Sequence, residues 1–307
     1  MVCQLVVGVQ DSVLVQKAAH AFHADLIPIT INRFSDSESK LTIQQAEKVA
    51  GASVVLFFQI FSPLEQKRAV NDQLFDLLLI IQLLKQRQAK KISLVMPYFP
   101  YARQEKENNG QTMSTAKLFG NLLQLAGVDE LFVCDIHSPT IASVIPVPVH
   151  NIALTALWSK VCEGFEKQSC CLVSPDFGGR DRVQALEQVT GYSSAFIKKT
   201  RTNGGGAIAL ELVGDVAGKT VILVDDIVDT AQTAVSASEL LFKHGAQKLI
   251  GCFSHAILSG PAYQNLMNSR FEQIFLTDSV VFDSTKLSKK FSVVSMHEFL
   301  LRQLSRV

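Results

Sequence analysis

Short apolar runs recur along this chain, most of them ending in a polar residue and separated by stretches of helical spacing. They are "SVVLFFQ" (53–59), "ISLVMP" (92–97), "ELFVCDIH" (130–137), "CLVSPD" (171–176), "TVILVDD" (220–226), "LIGCFSH" (249–255) and "QIFLTDS" (273–279). Runs this short, rich in β-branched residues and apolar without alternation, predict strands buried on both faces, with helices covering those faces and parallel sheets as the result. The opening "MVCQLVVGVQ" has no basic stretch ahead of its apolar residues and predicts a first strand, not a signal peptide. The most apolar helical stretch, "LFDLLLIIQLL" (74–84), is too short to span a bilayer and is bounded by Asp72 and Lys85. It predicts a helix of the core or of a subunit interface, and the fold class is α/β.

The proline-containing segment "SVIPVPVHNIAL" (143–154) follows a strand that ends in polar residues, which places a boundary near residue 146: an N-terminal domain over 1–146 and a C-terminal domain over 147–307. Glycines in "TNGGGA" (202–207) hold no fixed backbone unaided and predict a mobile loop.

At 307 residues and 48% hydrophobic, the chain can bury a core in each of two domains. Its 29 Lys and Arg against 28 Asp and Glu leave a net charge of +1, no field for a polyanion, so nucleic acid is excluded as a partner, as is a membrane. The six cysteines sit at apolar positions such as Cys3, Cys134 and Cys252 without metal-ligand spacing, which fits buried free thiols in a reducing cytoplasm.

Ligands of open parallel sheets bind beyond the carboxyl ends of the strands. Here those ends carry Asp135 and His137, Asp176, and Asp225 and Asp226, which together suggest a polyanion or metal site. "GDVAGKT" (214–220) imitates a phosphate-binding loop, but three residues separate its glycines where four are needed, and it leads into a strand instead of leaving one. Phospho-acceptor domains also place paired acids after a strand. The following "DTAQT", however, adds hydroxyls and backbone N–H groups where a helix begins, which suits a bound phosphate. Acids for a diol beside donors for a phosphate describe a ribose phosphate.

The stretch "VILVDDIVDTAQT" (221–233) resembles the ribose-phosphate loop of the type I phosphoribosyltransferases, and more specifically that of the ribose-phosphate pyrophosphokinases. "RFSDSE" (33–38), "PYFPYARQEK" (97–106), "TAKLFGNLLQLAG" (115–127), "DIH" (135–137), "SPDFGGRDR" (174–182), "HAILSGPA" (255–262) and "TDS" (277–279) extend the resemblance over nearly the whole chain, in order. The resemblance implies two tandem phosphoribosyltransferase type I-like domains, each a mostly parallel sheet flanked by helices, with the last helix packing back on the N-terminal domain. The implied reaction gives phosphoribosyl pyrophosphate and AMP from ATP and ribose 5-phosphate.

By the same resemblance, Asp225 and Asp229 hold the ribose hydroxyls, with Asp226 and Arg201 also on the ribose 5-phosphate side, while Thr230, Ala231, Gln232 and Thr233 wrap the 5-phosphate. Phe34, Asp36, Ser37 and Glu38 surround adenine, reaching it from a neighbouring subunit of a homo-oligomer (dimer or hexamer), and Arg103 and Gln104 complete the ATP site. The implied cofactor is magnesium (Mg2+), with Asp135, His137 and Asp176 as its residues. Lys199 and Arg201 match the basic pair of a catalytic loop. Phosphoryl-type transfer needs charge stabilisation more than covalent help, and two cations on a closing loop supply it.

Gln232 stands where the family has glycine, and a side chain there is expected to obstruct the phosphate. Thr200 occupies a position often charged in the family, and "SPTIASVI" (138–145) departs from the sequence that carries allosteric control. Two other functions remain open at this point: a silent paralogue serving as a regulatory or assembly subunit, and a phosphoribosyltransferase, although the latter needs one such domain and no "YARQ". Formation of AMP that requires ribose 5-phosphate separates the three.

Overall fold

The computed structural model describes residues 5–9, 12–63, 69–107, 111–201 and 208–305; the side chains of 9, 199–201 and 208–209 lie outside that description. "TNGGGA" (202–207) also falls outside it. Two units emerge: one takes the described residues of Met1–Phe61, Lys67–Ile152 and His297–Val307, the other those of Ser62–Gln66 and Ala153–Met296.

The first unit runs β1 (Leu5–Val9), α1 (Val13–Phe22), β2 (Asp25–Arg33), β3 (Ser39–Ile43), β4 (Ser53–Phe57), α2 (Val70–Gln86), β5 (Lys91–Val95), α3 (Thr115–Ala126), β6 (Glu130–Cys134), α4 (Pro139–Val144) and β7 (Val149–Ile152). Its sheet has the order β3-β2-β1-β4-β5-β6-β7 and is parallel apart from the β2–β3 hairpin. The second unit runs α5 (Thr155–Cys162), β8 (Cys170–Ser174), α6 (Arg180–Thr190), β9 (Ser193–Arg201), β10 (Ile208–Val213), β11 (Thr220–Val228), α7 (Gln232–Lys243), β12 (Lys248–Ala256), α8 (Ala262–Met267), β13 (Gln273–Thr277) and β14 (Phe291–Val294). Its order is β10-β9-β8-β11-β12-β13-β14, again parallel apart from one hairpin, β9–β10. The final helix, α9 (His297–Leu304), belongs to the first unit and packs on α1.

The chain passes to the second unit after Ile152, beyond the expected boundary near 146. The prolines do not end the first sheet, because the Pro148 carbonyl accepts from the Leu131 N–H at 2.9 Å and β7 continues the ladder beside β6. A proline lacks a donor, but its acceptor serves a ladder as well as any other.

Local chemistry fixes the helices. Ser114 caps α3 by accepting from the Lys117 N–H at 3.2 Å, and Gly127, at φ 108°, ends it in the left-handed conformation with its N–H on Leu123 O at 3.1 Å. α2 buries Leu74, Leu77, Ile80, Ile81 and Leu84 at helical spacing, so it is a core helix. In the second unit the core joins Val173, Leu223, Phe253 and Leu276 from the strands to Ala234 and Leu241 of α7. Cys134, Cys162, Cys170, Cys171 and Cys252 are buried free thiols, and burial pushes that of Cys162 up to about 12. No helix among the described residues is long and apolar enough to cross a membrane.

Candidate active site

β11 carries apolar, fully buried residues from Val221 to Val224 and then two carboxylates. The ladder does not end there: pairing with β12 continues to Val228 opposite Ala256, so Asp225 and Asp226 are held inside the strand, with side chains only 14% and 7% exposed. Like charges placed that way need a counter-charge. Arg182, on the first turn of α6, provides it, with Nη1 3.3 Å from Asp226 Oδ1 and 3.9 Å from Asp225 Oδ1; these are ion-pair distances without hydrogen-bond geometry.

Asp176 follows β8 and turns its Oδ1 to accept from the Gly179 N–H at 3.1 Å, while Ser174 Oγ donates to the Asp176 carbonyl at 2.6 Å. A Cβ on Gly179 would lie 2.5 Å from Ser174 Oγ and 3.4 Å from Arg182 Nη1, so a side chain there would displace Ser174 Oγ from the Asp176 carbonyl it donates to, in the turn that brings Arg182 back over the acids. Burial, then the neighbouring Asp226 charge and, more weakly, Asp176, drive the Asp225 carboxyl well above its ordinary value; Arg182 opposes them without winning. The group retains surplus negative charge, a setting for a cation or for hydroxyl donors.

After β11 the chain turns through Asp229, Thr230 and Ala231 into α7. Ala231 is buried and left-handed, at φ 65°, and its carbonyl accepts the first helical bond from the Val235 N–H at 2.9 Å. The N-cap residue Ala231 has no side-chain oxygen to cap α7, and the first-turn N–H groups of Gln232, Thr233 and Ala234 have no partner within the helix, the arrangement that receives an anion. Gln232 is exposed and lies outside the set of positive-φ residues, so the backbone freedom of a glycine is not required there. The unusual conformer belongs to Ala231 instead.

In the first unit, Phe34, Asp36, Ser37 and Glu38 form the tip of the β2–β3 hairpin, closed by Phe34 N–H to Glu38 O at 2.9 Å and Ser37 N–H to Phe34 O at 3.0 Å. Arg33 supports the tip by donating to Ser37 O and to the buried Asp76, each at 2.9 Å. Phe34 is 53% exposed, with no core above it. Arg103 and Gln104 follow β5, where Gln104 is anchored on Thr115 at the start of α3, with Oγ1 to Oε1 at 2.7 Å. Asp135 and His137 follow the adjacent β6; Asp135 is buried, left-handed at φ 37°, and donates its N–H to Ile152 O at 3.1 Å.

The structure thus gathers Asp176, Asp225 and Asp226 and runs them into the 229–233 turn. Asp135 and His137 belong to the first unit and Asp176 to the second, and no group of three metal-binding side chains occurs among the described residues. Lys199 and Arg201 lie on β9, in register with Leu210 and Ile208, and their side chains are outside the described set. Arg182 closes the motif "SPDFGGRDR" (174–182) but was given no role from sequence, because its partners Asp225 and Asp226 lie far along the chain.

Two family models match the chain: the N-terminal domain of ribose phosphate pyrophosphokinase over residues 3–127, and the phosphoribosyl synthetase-associated domain over 189–307. A ribose-phosphate pyrophosphokinase of Bacillus subtilis is 32% identical over 96% of this chain and 90% of its own length. One from Aquifex aeolicus is 32% identical over 99% and 95%. The crystal structure of phosphoribosylpyrophosphate synthetase from Mycobacterium smegmatis superposes with a TM-score of 0.87 at 27% identity, covering 98% of both chains. Likeness along both units, at the level of sequence and of fold, has one explanation: the chain belongs to the ribose-phosphate pyrophosphokinase family.

Proposed function

We propose that the chain transfers the pyrophosphoryl group of ATP to the anomeric hydroxyl of ribose 5-phosphate, giving phosphoribosyl pyrophosphate and AMP. One observation carries the reading: at the end of β11 two nearly buried carboxylates lead into a turn and an uncapped helix start. Asp225 and Asp229 accept hydrogen bonds from the ribose hydroxyls. The N–H groups and hydroxyls of Thr230, Ala231, Gln232 and Thr233 take the 5-phosphate, and Asp226 keeps Arg182 in place.

ATP lies against Arg103 and Gln104, and adenine stacks on Phe34 beside Asp36, Ser37 and Glu38 of a neighbouring subunit. β1 and β4 intervene between β2 and β5, about 14 Å at ordinary strand spacing, which favours a homo-oligomer, dimer or hexamer, over a site built from one chain. The anomeric oxygen forms a bond to the β-phosphorus as the bond from that phosphorus to the oxygen it shares with the α-phosphorus breaks. AMP departs with the electron pair and the hydroxyl proton is released. Lys199 and Arg201 stabilise the charge that moves between phosphates.

Asp176, beside the paired acids, would hold magnesium on the ribose side, and Asp135 and His137 would hold it on the ATP side, one or two protein groups being enough for an ion that keeps several waters. When bound, magnesium neutralises phosphate oxygens. The enzyme works in the cytoplasm, in keeping with its buried free thiols.

The test is AMP and phosphoribosyl pyrophosphate measured by chromatography from ATP and Mg2+, with and without ribose 5-phosphate. AMP that appears only with the sugar supports the reading; sugar-independent AMP, or no AMP despite sugar binding, overturns it.

A further inference from the structure

Three consecutive carbonyls leave β11 on their way to α7, and each has a donor. The Val228 carbonyl accepts from the Ile257 and Leu258 N–H groups at 3.0 and 3.1 Å, and that of Asp229 from the Ser259 N–H at 3.0 Å. Thr230 O accepts from the Asn265 side chain, Nδ2, at 3.0 Å. The first two donors are backbone groups that many sequences would supply. The third depends on one side chain, and because its partner is a carbonyl, the amide nitrogen must be the atom that faces it.

In a planar trans peptide the C=O and the next residue's N–H point in opposite directions. Pinning the Thr230 carbonyl therefore aims the Ala231 N–H the other way, away from Asn265 and α8, at the point where the chain enters α7. The control matters at this peptide in particular. Ala231 is left-handed, a conformer an alanine adopts reluctantly, and rotating the Thr230–Ala231 peptide would relax it while turning that N–H away. Asn265 opposes the rotation from a fixed base. Tyr263 of α8 stacks on Phe291 at 5.3 Å between centroids, and Lys290 Nζ donates to the carbonyls of Leu266, Met267 and Ser269 at 2.8, 3.0 and 3.0 Å, closing the carbonyl end of α8.

We propose that Asn265 is a positioning residue for ribose 5-phosphate: through the Thr230 carbonyl it holds the Ala231 N–H in the orientation that receives the 5-phosphate. The proposal rests on the assignment of the 229–233 turn as the phosphate site.

Steady-state kinetics and calorimetric titration with ribose 5-phosphate test it in Asn265→Ala, in the isosteric Asn265→Asp, which puts an acceptor where the donor stood, and in Thr233→Ala. Asn265→Ala should raise KM and Kd for ribose 5-phosphate about 5- to 20-fold, the loss of one aligned hydrogen bond, with KM for ATP and kcat within about twofold of wild type. Asn265→Asp should be at least as impaired. If Thr233→Ala weakens ribose 5-phosphate binding and neither Asn265 variant does, the positioning role is refuted and the site stands. If Thr233→Ala is also without effect, the site assignment itself fails and takes the proposal with it. Equal losses toward ATP and the sugar, or loss of the fold in both Asn265 variants by circular dichroism, would make Asn265 merely structural and overturn the proposal.

Discussion

Replacing Arg182 by Gln removes the cation that faces Asp225 and Asp226 and leaves two nearly buried carboxylates beside each other. At 3.3 and 3.9 Å and an effective dielectric constant near 20, the two attractions are each about 4–5 kcal/mol before desolvation is subtracted. Breaking a buried pair from one side costs about 3–5 kcal/mol, and the residual exposure of these groups lowers the expected loss to about 2–3 kcal/mol. For a protein with units of this size that corresponds to roughly 5–10 °C in melting temperature. The loss depends on pH in a definite sense. The folded Asp225 pKa already lies above the unfolded value, and Arg182 holds it down, so the substitution raises it further. A raised carboxyl pKa contributes stability that is intact below the unfolded pKa and is lost as pH rises through the folded one. The deficit of the variant should accordingly be small below the folded pKa of the wild type and full above that of the variant. Melting curves of both proteins from about pH 5 to pH 9, without magnesium, measure it. A deficit constant with pH, or larger in acid, would refute the electrostatic account of Arg182.

Gln232→Gly should tighten ribose 5-phosphate binding by roughly 1 kcal/mol, because the change removes an exposed side chain from the mouth of the phosphate turn where no special backbone conformation is needed; calorimetry showing equal or tighter binding by the wild type would mean that the glutamine does not obstruct. Lys199→Ala should lower kcat by about 10²- to 10³-fold with ATP affinity retained, as expected for a charge used in the transition state. Unchanged turnover would remove Lys199 from the mechanism.

The strands legible in the sequence were those buried on both faces. "SVVLFFQ", "TVILVDD" and "LIGCFSH" became β4, β11 and β12 because a continuous apolar run has no other stable placement in a sheet covered by helices. β2, with Pro28 in its middle, and β9 and β10, where buried Ala195 and Ile197 alternate with more exposed neighbours, did not form continuous runs; they build the hairpins at one side of each sheet. The paired acids and the turn proposed to take the phosphate were legible because they are contiguous. Arg182 closes the motif "SPDFGGRDR", but its role was not legible, and Asn265 was not singled out, since each meets its partner only after the chain has folded, 43 residues before Asp225 in one case and 35 after Thr230 in the other. The left-handed Ala231 likewise leaves no trace in composition, because its backbone is set by hydrogen bonds that arrive from residues 257–265.

The return of α9 to α1 makes the second unit, in chain order, an insertion within the first. During synthesis, the sheet from β1 to β7 is complete long before the helix that buries Leu300, Leu301 and Leu304 on the same unit has been made. The roughly 140 intervening residues take about 7 to 30 s to translate at ordinary rates, a long interval compared with the folding of a small domain. The second unit, contiguous apart from a short segment before α2, can close as soon as it emerges. The N-terminal unit therefore begins folding first and finishes last, and in the interval it presents apolar surface to chaperones and to other nascent chains.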